Sequence, residues 1–151
     1  MHFGLVRNGL ALCESRLRRK TFNDAGKFGI LYEKIVAKFI EYEAKYPNFH
    51  LIRFEDLLAD PKKFVNDLYD KAGLSYGNEI SVRLKAKKHV NASGVHDTSL
   101  QEGNKYWVDM NNFFEFVNPN INENQIKRMP QKDQQEFLKF AGNSMEQLSY
   151  L

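Results

Sequence analysis

One cysteine in 151 residues leaves no internal disulfide. That residue, Cys13, falls in an apolar helical stretch and reads as a small core hydrophobe. No run of 18 apolar residues occurs, which excludes a membrane-spanning helix. The opening MHFGLVR is interrupted by Arg7 too soon to be a signal peptide. His2, His50, His89 and His96 lack the spacing of metal ligands, and a lone cysteine adds nothing to them. Neither GxGxxG nor GxxxxGK followed by Ser or Thr is present, so the two commonest phosphate-loop phrases are absent. There is no internal repeat and no low-complexity tract.

What is present suits one ordinary domain. Hydrophobic residues make up 42% and aromatic residues 13%, enough for a packed core, and the charged share of 27% is average. A net charge of +3 falls far short of the dense basic face of a dedicated nucleic-acid binder. It fits an anionic small ligand and an ordinary solvated surface equally well. Two basic clusters, Arg16, Arg18, Arg19 with Lys20 and Arg83, Lys85, Lys87 with Lys88, read first as solvated faces.

Residues 2–7 are short, apolar and strand-like, and Asn8-Gly9 turns the chain into a helix carrying Leu10, Cys13 and Leu17. The cations of ESRLRRK close that helix as the macrodipole favours. Residues 29–46 predict a long amphipathic helix on Leu31, Ile35, Phe39 and Tyr42, ended by Pro47. Residues 49–54 form the clearest strand, apolar enough to be a buried parallel one. Asp60-Pro61 predicts an N-cap and first helical position, and Gly73 a C-terminal stop. A helix is expected over Glu79–Lys87, polar loop over 88–110, and loop again over 118–122. Helices are expected over 123–129 and 131–142, the latter ended by Gly142, and a last short one over 144–150. The order implies α/β with a small parallel sheet, flanking helices and a helical C-terminal part.

Ligands of open parallel sheets bind beyond the carboxyl ends of the strands. Arg7 stands at such an end, and Ser15 follows eight residues later on the helix that the strand feeds. An Arg fork and a hydroxyl make a good pair for a phosphate. An Arg exposed at a strand end with a Ser bonded back to its own helix is the plainer alternative. Glu55 and Asp56 resemble a carboxylate dyad. Their expected work is local, accepting backbone N–H groups or pairing with Arg53 or a lysine.

The phrase Arg7-Asn8 followed by Ser15 resembles the segment with which sulfotransferases dependent on 3′-phosphoadenosine 5′-phosphosulfate (PAPS) grip the 3′-phosphate. HLIRFEDLLADPKKFVNDLYDKAGL (residues 50–74) is similar to that family's later strand–loop–helix, with Phe54 where the family usually has Tyr. GNKYW (residues 103–107) and FAGNSMEQLSYL (residues 140–151) resemble its basic loop and final helices. The resemblance implies a partial P-loop-type fold in a single domain over 1–151. It implies PAPS or its product PAP as cofactor, held by Arg7, Ser15 and Lys105, and a hydroxyl or amine acceptor. The family's phosphosulfate loop and general base would precede Met1, so the chain is expected to be an N-terminally truncated, C-terminal part of such an enzyme. No catalytic residue or metal ligand is assigned, and no sulfate transfer by the chain alone is expected. The rival expectation is a non-catalytic interaction module derived from the same fold. A homodimer, a cytoplasmic location, no nucleic-acid partner and no membrane span complete the expectations. Trp107 is expected to anchor a core or loop.

Overall fold

The computed structural model describes residues 1–75, 81–85 and 105–151. In chain order the elements are β1 (His2–Val6), α1 (Gly9–Arg18), α2 (Ala25–Lys45), β2 (Phe49–Arg53), α3 (Phe54–Ala59), α4 (Pro61–Ala72), β3 (Ser81–Lys85) and β4 (Lys105–Asp109). A 3-10 turn (Met110–Asn112), α5 (Phe113–Phe116), α6 (Ile121–Arg128) and α7 (Gln131–Gln147) follow. The protein is mixed α/β and mostly helical. It divides into two compact units, residues 1–55 with 120–151, and residues 56–119.

In the first unit β1 and β2 pair in parallel, His2 opposite Phe49 and Val6 opposite Arg53. This is the small parallel sheet that the two apolar runs imply. Its strands point the same way, so Arg7 and Phe54 leave the sheet at the same end. The turn into α1 is set by Asn8, whose side-chain oxygen accepts the Leu10 and Ala11 N–H groups at 3.1 and 3.2 Å. Asp24 caps α2 in the same way, accepting the Lys27 N–H at 2.7 Å. The core lies where α2 crosses α7. Phe28 stacks on Phe137 with centroids 6.1 Å apart, and Tyr32 meets the same ring edge-on at 5.5 Å. Val6, Leu10 and Cys13 close the core from β1 and α1.

In the second unit Asp60 accepts the Lys63 N–H at 2.9 Å and Pro61 opens α4. Gly73 stops that helix at φ 65°, a left-handed conformation that suits glycine. Strands β3 and β4 pair antiparallel, Val82 opposite Val108. Val108, Met110 and Phe113 are buried.

Several expectations need correction. Ser81–Lys85 is a strand, not part of a helix; Val82 and Leu84 alternate with Ser81, Arg83 and Lys85, the period of two that a paired strand requires. The other residues of that expected helix lie outside the described residues. So does most of the expected loop 88–110, whose last residues form β4 and the start of the 3-10 turn. Helix α2 begins at Ala25 rather than Gly29, because Asp24 supplies the cap. Gly142 does not end a helix. α7 runs through it because Phe137, Ala141, Ser144 and Met145 keep one buried stripe facing α2. Ile121 and Asn122 lie in α6, not in a loop. Helix α3, directly after β2, was not expected at all.

Candidate functional site

The carboxyl ends of β1 and β2 are joined by a polar cluster centred on Glu55. Its Oε1 accepts the Asn8 backbone N–H at 2.9 Å and the Asn122 amide at 2.5 Å. Its Oε2 accepts the Tyr150 hydroxyl at 2.6 Å. A carboxylate with three donors has little unmet demand. Glu55 therefore takes a backbone N–H, as the acidic pair suggested, but the N–H comes from the end of the neighbouring strand. Asp56 is exposed and belongs to the second unit.

Arg7 lies beside Glu55, half-buried. Its Nε donates to Asn122 Oδ1 at 2.7 Å and its Nη2 to Gln125 Oε1. Its guanidinium carbon sits 4.8 Å from the centroid of Phe54, a cation–π distance. The ring that stands where the sulfotransferase family usually has Tyr thus packs on the arginine without offering a hydroxyl. Arg7 also fixes its neighbours through its backbone: the Tyr32 hydroxyl donates to the Arg7 carbonyl at 2.9 Å. Burial lowers the proton affinity of Arg7, and the nearby Glu55 charge opposes that shift.

Tyr150 reaches Glu55 because of how α7 ends. Ser149 adopts φ 55°, the Tyr150 N–H returns to the Met145 carbonyl at 2.8 Å, and the Ser149 N–H bonds Glu146 at 2.9 Å. That closure turns the last residues back toward the strand ends. The Tyr150 ring also lies under the Arg53 guanidinium at 4.5 Å.

The cluster is poorly equipped for nucleophilic or general-base work at neutral pH. Burial, and then the hydrogen bond to Glu55, push the Tyr150 hydroxyl above its ordinary range. Burial, and then the Glu55 charge, do the same to Tyr32. The Cys13 thiol is pushed up to about 12, chiefly by burial and then by Asp133 and Asp24. Two of the Arg7 N–H donors meet neutral amides, and among the described residues no carboxylate accepts from its guanidinium.

The expected binding residues are distributed unevenly. Arg7 occupies the strand end. Ser15 is on the buried side of α1, 6% exposed, and no hydrogen bond joins it to Arg7. Lys105 opens β4 in the second unit and is exposed there; Gly103 and Asn104 of its phrase lie outside the described residues. Trp107 is not a core anchor, being 68% exposed, with the Arg83 guanidinium 5.7 Å from the centroid of its ring. Asn122, Gln125 and Tyr150 escaped the sequence reading. They lie on α6 and the tail, more than 60 residues from their partners, and no local pattern marks such pairings. His89 and His96 lie outside the described residues. Among the described residues no group of His, Cys, Asp and Glu is arranged to hold a metal ion, and no helix is long and apolar enough to cross a membrane. No family model, no curated protein and no solved structure matches the chain.

Proposed function

We propose that the chain is a sulfotransferase-like domain of partial P-loop type that supplies the site for the 3′-phosphate of PAPS or PAP, with Arg7 as its central cation. One observation carries the reading. Arg7 leaves β1 at the carboxyl end of a parallel strand pair and turns directly into a capped helix, the place where parallel α/β folds bind phosphorylated ligands. The likeness of residues 5–15 and 50–74 to the family phrases supports it. Arg7 carries the proposal alone: Ser15 is buried on α1, and Lys105 belongs to the second unit. The 151 residues contain no phosphosulfate-binding lysine loop, so this polypeptide is proposed to bind nucleotide without transferring sulfate to a hydroxyl or amine by itself.

Calorimetric titration tests the site. PAP is expected to bind more tightly than AMP, which lacks the 3′-phosphate, by about tenfold or more, since a hydrogen bond to a charged group is worth roughly 1.5–3 kcal/mol. Arg7→Ala should erase the preference. Equal affinity of the parent chain for PAP and AMP overturns the reading without appeal to any variant.

A second reading, an interaction module that pairs with itself, is favoured by the strand edges. The outer side of β2 is partly covered, because the Leu51 N–H donates to Glu43 Oε1 at 2.7 Å. The outer side of β1 carries no strand among the described residues. Its sequence, HFGLV, has neither the charge nor the proline that protects an exposed edge. A homodimer joined through β1 follows from that edge.

A further inference from the structure

We propose that the groove between β1, α1 and α2 binds a single-chain amphipathic anion, an aliphatic carboxylate whose chain lies along α2 and whose head meets Arg16 and the free side of Arg7. The groove has a volume of about 510 Å³, inside the range of small-ligand sites, roughly 300–1,000 Å³. Leu31, Ile35 and Phe39 follow one another at steps of four on α2 and form one wall. Leu5 and Ile35, 57% and 43% exposed, are apolar surface that an alkyl chain would remove from water.

Charge selects the head group. Among the described residues, the only charged ones lining the groove are Arg7 and Arg16, both cations, and no carboxylate lines it. Arg16 is exposed and forms no ion pair among the described residues. Arg7 meets two neutral amides and a ring, and the charges of Glu55 and, more weakly, Glu14 act on it from outside the groove lining. A cationic amphiphile would meet two like charges, and a neutral one would gain only the apolar contact.

The inference goes beyond the nucleotide reading and is tested separately, since PAP and an aliphatic acid can each bind or fail independently. Three probes with unbranched chains of nine or ten carbons and different head groups, decanoate, decanol and decyltrimethylammonium, are titrated calorimetrically below micelle formation. Decanoate is expected to bind about fivefold to tenfold more tightly than decanol, with the ammonium weakest. Arg16→Ala should bring decanoate to within about twofold of decanol. Ile35→Asp, on the outward side of α2 and checked for retained helix by circular dichroism, should abolish binding of all three. Equal affinity for decanoate and decanol, no decanoate binding, or an unchanged preference in Arg16→Ala overturns the proposal. So does a dimer in light scattering that decanoate leaves intact and Ile35→Asp dissociates, because a second copy would then fill the groove.

Discussion

Glu55 ties three segments of the chain together at the end of the sheet. It satisfies the Asn8 N–H, the Asn122 amide and the Tyr150 hydroxyl at once. Glu55→Ala leaves three donors without an acceptor and is expected to cost about 2–4 kcal/mol, read from the urea midpoint, with Tyr150→Phe costing about 1 kcal/mol. If Glu55→Ala unfolds at the parent midpoint, the cluster contributes nothing to stability. Three buried protons set an alkaline limit. Tyr32, Tyr150 and Cys13 all keep their protons in the folded state to higher pH than in the unfolded chain. Raised folded values mean that the stabilisation is fully present below the unfolded pKa and is lost as pH rises toward the folded one. Stability should therefore hold through neutral pH, begin to fall near pH 9 as the unfolded thiol ionises, and fall more steeply above about pH 10. Urea unfolding between pH 7 and 11 measures this, and Tyr32→Phe should make the decline shallower. A decline of unchanged slope in that variant would remove Tyr32 from the account.

At the scale of elements, two glycines on the crossing helices make opposite demands. Gly29 brings α2 against α7 so closely that a Cβ would lie 2.7 Å from the Phe137 carbonyl oxygen, a backbone atom that cannot swing aside. Gly29→Ala should separate the helices and cost about 2–3 kcal/mol by thermal or urea unfolding. Gly142, inside α7, has open space at its Cβ position and no left-handed backbone. Gly142→Ala should stabilise by about 0.5–1 kcal/mol, since alanine loses less backbone entropy on folding. The two results together report the α2–α7 crossing; equal effects from the two changes would contradict it. Read along the chain, Gly29 looked like a helix start and Gly142 like a helix end. Gly29 belongs to the packing of one helix on the other and Gly142 is a tolerated interior position, and spacing along a single segment shows neither.

For the whole molecule, the testable issue is self-association. β1 keeps an uncharged outer edge, and Phe3 on it and Met1 just before it are exposed. Burying a few hundred Å² of such surface is worth several kcal/mol at roughly 25 cal/mol per Å². Light scattering during size-exclusion chromatography is expected to show a dimer of twice 17.6 kDa. Leu5→Lys, which puts a charge on β1, should return it to monomer. A parent chain that runs as a monomer over a hundredfold range of concentration would dismiss the interaction-module reading.

Local chemistry alone settled a good part of the fold. The Asp60-Pro61 start and Gly73 stop of α4, the apolar run of β2 and the turn at Asn8 each depend on neighbours within four residues, so the chain order contains them. Arg7 was legible in the same way, as a cation at the end of a strand that feeds a helix. Alternation in Ser81–Lys85 was also written in the sequence, yet a five-residue strand is recognisable only once β4 supplies its partner. The tertiary structure alone decided that Glu55 faces Asn8, that Asn122 and Gln125 hold the Arg7 guanidinium, and that α7 passes through Gly142. Those contacts span up to 118 residues, and they form because the core of α2 and α7 brings the end of β1, helix α6 and Tyr150 to one end of a two-stranded sheet.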